Sequence, residues 1–204
     1  AAIRRSLLAL GGVSREQGYE TVLIPGSGTF GLEAVVSSIT PPHGKWLVVV
    51  NGAYGERIAG IAKRYGIAVA ILRYPENESP RASDVDRELK ADHSVTHVAV
   101  VHCETTAGIL NRVDEIGAVV RRHERIYVLD SMSAFGGIPF DMGAAEVDFL
   151  VSSANKCIEG VPGFSFVIGK RDRLLATEGW ARTVSLDLLA QWRGLENNGQ
   201  FLFT

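Results

Sequence analysis

Short apolar runs alternate with amphipathic segments along the chain, and this alternation restricts its fold more than any other feature. Most of the runs are apolar on both faces, which is typical of strands in a buried parallel sheet. The runs predict strands at Val22–Ile24, Trp46–Val50, Ala68–Leu72, His97–Val101, Ile126–Leu129, Asp148–Val151 and Phe164–Ile168. The alternation as a whole predicts an open α/β fold, with helices on both faces of a mostly parallel sheet.

The segments between the runs carry apolar residues at helical spacing. These residues are Leu32, Val35, Val36 and Ile39, then Ile58, Ile61, Ala62 and Tyr65, and then Val113, Ile116, Gly117 and Val120. A shorter helix is predicted over Ser83–Lys90, with Ser83 as its N-cap, and another over Ser185–Leu195. Sheets of this kind bind ligands at the carboxyl ends of their strands, so the residues just after each strand are the functional candidates.

Size and charge exclude several classes of protein. The 204 residues fit one large domain. The net charge of −2 gives no basic surface for nucleic acid, and no apolar run approaches the ~18 residues of a membrane span. Cys103 and Cys157 have neither metal-ligand nor disulfide-framework spacing, which indicates a reducing compartment such as the cytoplasm.

The segment Gly26-Ser27-Gly28-Thr29 follows the first predicted strand and opens a helix. Backbone N–H groups and the hydroxyls of Ser27 and Thr29 would surround an anion there, aided by the helix dipole. The alternative is a plain turn in which Thr29 is the N-cap. The segment therefore predicts either a phosphate site or an ordinary helix start.

The same glycines admit a second interpretation. Gly26, Gly28 and Gly31 match G-x-G-x-x-G, the pattern of dinucleotide-binding folds. That pattern expects an acidic residue at the end of the next strand, where this chain has Asn51 and Gly52. A dinucleotide-binding oxidoreductase is therefore the weakest of the enzyme hypotheses.

Two other strand ends carry side chains suited to a flat heterocycle. Tyr54 follows the second strand and is placed either to stack on a ring or to pack at the edge of the core. Thr105 is placed either to donate to a phenolate oxygen or to form part of a hydroxyl-rich turn. Its neighbour Glu104 is predicted to fix this loop through backbone N–H groups, and His102 is interpreted as structural.

Asp130 ends the strand Ile126–Leu129, where a partly buried carboxylate needs a partner. A protonated pyridine nitrogen would supply one and keep the carboxylate ionised; a capping or loop role is the alternative. Lys156 lies 26 residues further on, between a buried strand and a glycine-rich segment; an ordinary surface lysine is the alternative. A phosphate cradle, a strand-end aspartate and a later lysine are the three anchors of pyridoxal phosphate, so their order predicts this cofactor.

Three longer segments make the chain recognisable. They are His102–Asn111, Asp130–Pro139 and Ser152–Phe164. With them the chain resembles, over essentially all of its residues, the fold-type I, pyridoxal-phosphate-dependent aminotransferases of class V. The resemblance implies a three-layer α/β/α large domain with a mostly parallel sheet, and pyridoxal 5'-phosphate as the cofactor.

The resemblance also implies roles for individual residues. Lys156 is then the lysine that forms the Schiff base and moves the proton, and Asp130 binds the pyridine nitrogen. Tyr54 stacks on the ring and Thr105 meets its phenolic oxygen. The residues implied to contact the cofactor's phosphate are Ser27, Gly28, Thr29, Asn155 and, from a neighbouring subunit, Thr204.

Within class V, the resemblance is strongest to members that transfer the amino group of 2-aminoethylphosphonate to pyruvate. It implies a homodimer, small amine and 2-oxo acid substrates, and phosphonoacetaldehyde and L-alanine as products. It further implies an N-terminal segment and a small C-terminal domain outside these residues, with the arginine that would bind the substrate's anion. The alternatives are an alanine–glyoxylate or serine–pyruvate aminotransferase, and a truncated domain that binds the cofactor or dimerises without catalysis.

Overall fold

A computed structural model of the chain describes residues 2–203 and contains two sheets and seven helices within that range. The main sheet has seven strands in the order β1-β9-β8-β7-β4-β2-β3, and β5 pairs with β6 in a small hairpin. The strands are β1 Tyr19–Pro25, β2 Lys45–Val50, β3 Ala68–Arg73, β4 His97–Val101, β5 Cys103–Glu104, β6 Ile109–Leu110, β7 Ile126–Asp130, β8 Phe149–Ser153 and β9 Phe164–Lys170. The helices are α1 Ala2–Leu10, α2 Gly28–Ile39, α3 Ala53–Arg64, α4 Ala82–Ala91, α5 Val113–Arg122, α6 Arg171–Leu175 and α7 Leu188–Asn198.

All seven strands predicted from the sequence form the main sheet, and four neighbouring pairs are parallel as expected. The exception is β9, which pairs antiparallel with both β1 and β8. An apolar run indicates that a strand is buried on both faces but does not indicate the direction of the strand, so the sequence did not predict that β9 is antiparallel. Because β9 is reversed, its first residue lies at the same sheet edge as the last residues of its neighbours.

Helices cover both faces of the sheet and complete the three-layer α/β/α arrangement. One apolar cluster joins the sheet to α1, α4 and α5, through residues such as Leu89 and Ile116. The other joins the opposite face to α2, α3, α6 and α7, through residues such as Leu32 and Ile58. No helix within residues 2–203 is both long and apolar enough to cross a membrane.

The helix starts differ in detail from the predictions. Helix α4 begins at Ala82 with Arg81 in the N-cap position, so Ser83 lies inside the helix and does not cap it. Helix α7 begins at Leu188, later than predicted, because the carboxylate of Asp187 accepts a hydrogen bond from the Ala190 N–H (2.9 Å). Side-chain caps are local choices that compete with tertiary contacts, which explains errors of a few residues.

Gly117 in α5 is expected to be indispensable for the fold. A Cβ atom there would lie 2.0 Å from the backbone oxygen of Ala145. Gly117→Ala should therefore lower the free energy of unfolding by about 3 kcal/mol, as overpacking does in a rigid core. Gly60→Ala in α3 is the matched control, because a Cβ there meets nothing within 4 Å; it should stabilise the helix by up to ~1 kcal/mol. Urea unfolding measures both, and equal effects would refute the close approach at Gly117.

Candidate active site

A cavity of about 390 Å³ opens at the sheet edge where β1, β2, β7 and β8 end and β9 begins. Its volume falls in the range of small-molecule sites. The residues that line it are Gly26, Ser27, Gly28, Thr29, Leu32, Tyr54, Arg57, Asp130, Met132, Ser133, Ser153, Asn155, Lys156, Pro162 and Gly163. Seven of the nine residues predicted for the site therefore lie around one cavity, although they come from four separate segments of the chain.

The start of α2 forms one wall. Ser27 occupies the N-cap position, and its side chain makes no capping hydrogen bond, so Thr29 is not the cap that the alternative interpretation required. The first N–H groups of any helix lack acceptors within the helix, and here they border the cavity together with an uncommitted serine hydroxyl. Such a helix start binds anions.

Glycine is required at one position in this wall and allows close packing at a second. Gly26 has φ +113°, a conformation that side chains rarely adopt, and its N–H donates to the Gly163 carbonyl oxygen (2.8 Å). A Cβ on Gly28 would lie 2.5 Å from the sulfur of Met132. The two glycines thus let the helix start approach the loops that follow β7 and precede β9.

Asp130 is the last residue of β7 and only 2% of its surface is exposed. Its Oδ1 accepts a hydrogen bond from the Met132 N–H (3.1 Å), whereas its buried Oδ2 has no partner within the described residues. Burial raises the pKa of Asp130 to about 6, with a further rise from Glu104 and opposing effects of the Met132 N–H and of Arg57. A buried carboxylate with a free oxygen is suited to a cationic N–H donor.

Lys156 lies in the loop between β8 and β9 and contributes to the cavity wall. The loop is held by a hydrogen bond from the Glu159 N–H to the Lys156 carbonyl oxygen (2.8 Å), with Glu159 at φ +58°. A left-handed conformation at a residue other than glycine costs free energy and often accompanies a functional site. Within the part of the chain that the structure describes, Lys156 has no acidic partner, unlike the ion-paired Lys45, Lys90 and Lys170.

Tyr54 and Arg57 form the wall contributed by α3. The guanidinium carbon of Arg57 lies 4.9 Å from the centroid of the Tyr54 ring, which is cation–π geometry. Arg57 was missed by the sequence analysis, although residues three apart on a helix share a face. The spacing of three residues from Tyr54 could therefore have indicated Arg57 as a neighbour of Tyr54, but the sequence did not show that this helix face borders the cavity.

One predicted residue is not part of the cavity wall, and another cannot be compared with it. Thr105 is exposed in the turn between β5 and β6 and is absent from the lining of the cavity. Thr204 lies outside the described residues. Asn155 does line the cavity, beside Lys156. The roles of these residues toward a cofactor stay predictions.

The sequence pattern of the family described as aminotransferase class-V matches residues 13–186. This chain belongs to the class-V aminotransferase family. It is 47% identical over 203 residues to 2-aminoethylphosphonate–pyruvate transaminase of Bacillus cereus (strain Q1), covering 99% of this chain and 55% of that protein. It is 48% identical to the transaminase of the same name from Salmonella paratyphi C, with the same coverage. The chain thus spans about half the length of these curated relatives.

The fold is also that of a solved aminotransferase structure. Pyridoxamine–pyruvate aminotransferase from Mesorhizobium loti superposes with a TM-score of 0.86 at 26% identity, over 98% of this chain and 52% of that one. The prediction of a fold-type I aminotransferase architecture is therefore confirmed. The cofactor implied by this family is pyridoxal phosphate, as the sequence predicted.

The cavity fits that cofactor in three independent respects. The N-terminus of α2 borders the cavity, and helix N-termini are suited to binding phosphate groups. The unpartnered Oδ2 of Asp130 needs a buried N–H donor, which a pyridinium supplies. Lys156 lines the same cavity and has no acidic partner within residues 2–203.

Proposed function

We propose that this chain carries the cofactor site of an enzyme that transfers the amino group of 2-aminoethylphosphonate to pyruvate, giving phosphonoacetaldehyde and L-alanine. The observation that carries this proposal is the near-complete coverage of the chain by transaminases of that name, at 47% and 48% identity. The convergence of Ser27, Asp130 and Lys156 on one cavity supports the chemistry. Small amines and 2-oxo acids are the general substrate classes of aminotransferases.

The residues of the cavity have distinct tasks in this proposal. Ser27, Gly28 and Thr29 bind the phosphate through N–H groups and hydroxyls at the start of α2, and Asn155 adds a further polar contact. Tyr54 packs against the face of the pyridine ring. Asp130 accepts the ring N–H, which keeps its own carboxylate ionised and the nitrogen protonated.

Pyridoxal phosphate, when bound, supplies an electron sink for the bond that is broken at the substrate carbon. Asp130 sustains that sink by holding the proton on the ring nitrogen. The Nζ amine of Lys156 anchors the cofactor and then accepts the proton from the carbon that bears the substrate's amino group. Lys156 lines the cavity from a turn that is closed by the hydrogen bond from the Glu159 N–H to the Lys156 carbonyl oxygen.

A homodimer and a cytoplasmic location belong to the same proposal. Thr105 is proposed to meet the phenolic oxygen from the hairpin loop, and Thr204 to reach the phosphate of a neighbouring subunit. Analytical ultracentrifugation of the purified protein measures the subunit count. A purely monomeric species that retains transamination would contradict the shared site.

An absorbance spectrum of the purified protein tests the proposed function most directly. Adding pyridoxal phosphate should produce the visible band of lysine-bound cofactor, and adding 2-aminoethylphosphonate should then remove that band. Pyruvate should restore the band and yield alanine. L-alanine with glyoxylate, the substrates of the alternative aminotransferase, provides the matched comparison.

Each alternative predicts a different result. Turnover of alanine and glyoxylate, with no response to 2-aminoethylphosphonate, would replace the proposed substrates with those of an alanine–glyoxylate enzyme. A visible band that responds to no amine would indicate a domain that binds the cofactor without catalysis. The absence of any band after addition of pyridoxal phosphate would contradict the proposal at the level of the cofactor.

A further inference from the structure

The carboxylate of Glu104 is fully buried beside the cavity although it is not part of the cavity wall. Its Oε2 accepts hydrogen bonds from the backbone N–H groups of Tyr54 (3.2 Å) and Gly55 (3.4 Å). Its Oε1 accepts a hydrogen bond from the hydroxyl of Thr106 (2.7 Å). Both oxygens of this buried group are therefore occupied, and two of the three donors belong to another element of the fold.

Those two donors are the N–H groups of the second and third residues of helix α3, which lack acceptors within a helix. The N-cap residue of that helix is Gly52, which has no side chain to cap it. A Cβ on Gly52 would lie 2.4 Å from Cγ of Glu104, so a side chain there and the Glu104 carboxylate exclude each other. Glu104 thus caps α3 from a distant strand, and its negative charge lies at the positive end of the helix dipole.

The Glu104 cap joins the β5–β6 hairpin to the start of α3. The hydroxyl of Thr106 accepts a weak hydrogen bond from the Ala53 N–H (3.4 Å), so the hairpin contacts α3 through two side chains. Backbone bonds from Ala107 and Gly108 to the Glu104 carbonyl oxygen close the turn that contains Thr105. Glu104 was expected to fix its own loop through backbone N–H groups; in the structure the backbone N–H groups that its carboxylate binds belong to the start of α3, and its own loop contributes the Thr106 hydroxyl.

We infer that Glu104 is a positioning residue for the cofactor ring: its carboxylate caps α3 and so sets the placement of the Tyr54 ring against the loop that carries Thr105. This inference rests on the proposed function, because it concerns the same cofactor. The physical reason is that Tyr54 is the second residue of α3, where a helix frays unless its N–H groups are satisfied. A buried carboxylate with three donors holds that turn in a single conformation.

The inference is tested by the cofactor dissociation constants of four proteins: the unaltered protein, Glu104→Ala, Tyr54→Ala and the double variant. Glu104→Ala should weaken binding of pyridoxal phosphate about tenfold, a loss typical of a broken buried network. In the Tyr54→Ala background the same change should weaken binding by less than about twofold, since the ring it positions is gone. Glu178→Ala, which breaks an exposed ion pair with Arg193, is the control and should leave binding unchanged.

The outcomes separate a positioning role from a merely structural one. Effects of Glu104→Ala and Tyr54→Ala that multiply would show that Glu104 acts independently of the ring and would overturn the inference. A lowered unfolding temperature with unchanged cofactor affinity would overturn it as well. Should Glu104→Ala fail to fold, Glu104→Gln keeps an acceptor oxygen, and the visible circular dichroism of its bound cofactor gives the answer. An altered dichroic band supports positioning, and an identical band refutes it.

These measurements use cofactor binding and not turnover, so they can fail separately from the proposed function. If the unaltered protein binds the cofactor but does not react with 2-aminoethylphosphonate, the proposed substrate is wrong. The dissociation constants of the variants then still test the role of Glu104. If the protein transaminates normally and shows no coupling between Glu104 and Tyr54, only the positioning role fails. If pyridoxal phosphate does not bind at all, both fail.

Discussion

Lys156→Ala is expected to eliminate the visible band of lysine-bound cofactor and to lower the rate of transamination by about three orders of magnitude or more, because the chain loses both its covalent anchor and its proton carrier. The fold should be unaffected. Lys156 is exposed on the cavity wall, and no ion pair among the described residues depends on it. Far-ultraviolet circular dichroism and urea unfolding should therefore match those of the unaltered protein.

The matched control is Lys63→Ala. Lys63 is also exposed and lies near the end of α3, remote in sequence from every residue of the cavity loops that follow β7 and β8. It should retain the visible band and the rate. A band that persisted in the Lys156 variant would show that another lysine holds the cofactor. Loss of the band in the Lys63 variant would identify that lysine instead.

Asp130→Asn is expected to weaken cofactor binding about 10- to 100-fold, since a hydrogen bond to a charged group contributes about 1.5–3 kcal/mol. It should also slow proton transfer, because a neutral amide does not keep the ring nitrogen protonated. Equilibrium dialysis with pyridoxal phosphate measures the first effect, and single-turnover kinetics with 2-aminoethylphosphonate measures the second. Unchanged values for both would remove Asp130 from the site.

The same substitution should change the pH dependence of stability in the cofactor-free protein. Burial raises the pKa of Asp130 to about 6, so the folded state holds a proton on this group that the unfolded chain has already released. This contribution to stability is present at low pH and is lost as the pH rises toward that value. Asp130→Asn removes this pH dependence. The free energy of unfolding of the variant minus that of the unaltered protein should therefore increase by about 2 kcal/mol from about pH 4 to about pH 7.

Asp148→Asn is the matched control for a buried carboxylate. Asp148 is similarly buried, but it accepts a hydrogen bond from the Tyr127 N–H (2.8 Å) and forms an ion pair with Lys170 (2.9 Å). Its replacement should destabilise the protein, because it leaves the Lys170 charge without its partner, and it should not alter cofactor affinity.

For Asp130→Asn, a free energy of unfolding that varies with pH in parallel with that of the unaltered protein would contradict the predicted contribution of Asp130 to stability.

The contrast between Asp148 and Asp130 indicates that the cavity beside Asp130 is a binding site. Asp148 contributes to the fold through partners in the chain, whereas Asp130 keeps one buried oxygen without any partner in the described residues. A protein does not retain such a group for stability. The cofactor-free fold is therefore expected to be less stable than the loaded one, since the cofactor supplies the missing donor.

The sequence by itself determined the class of fold and most of the candidate site. Apolar runs of strand length predicted the positions of the strands in the sequence. The carboxyl ends of parallel strands lie at a common edge of the sheet. Asp130 and Lys156 were therefore expected near one another before any coordinates were known. Ser27 and Gly28 were expected at a helix start because they lie between an apolar run and a segment with helical spacing of apolar residues. These predictions depend only on local composition and on a general rule of sheet geometry.

The tertiary structure alone decided the direction of β9, the cation–π contact of Arg57 with Tyr54, and the cap that Glu104 places on α3. Burial does not encode strand direction, because an apolar run is equally well buried either way. The pairing of Glu104 with the Tyr54 N–H joins residues 50 positions apart, and no periodicity within either segment specifies it. Local pattern determines which residues reach the sheet edge, whereas long-range packing determines which of their atoms meet.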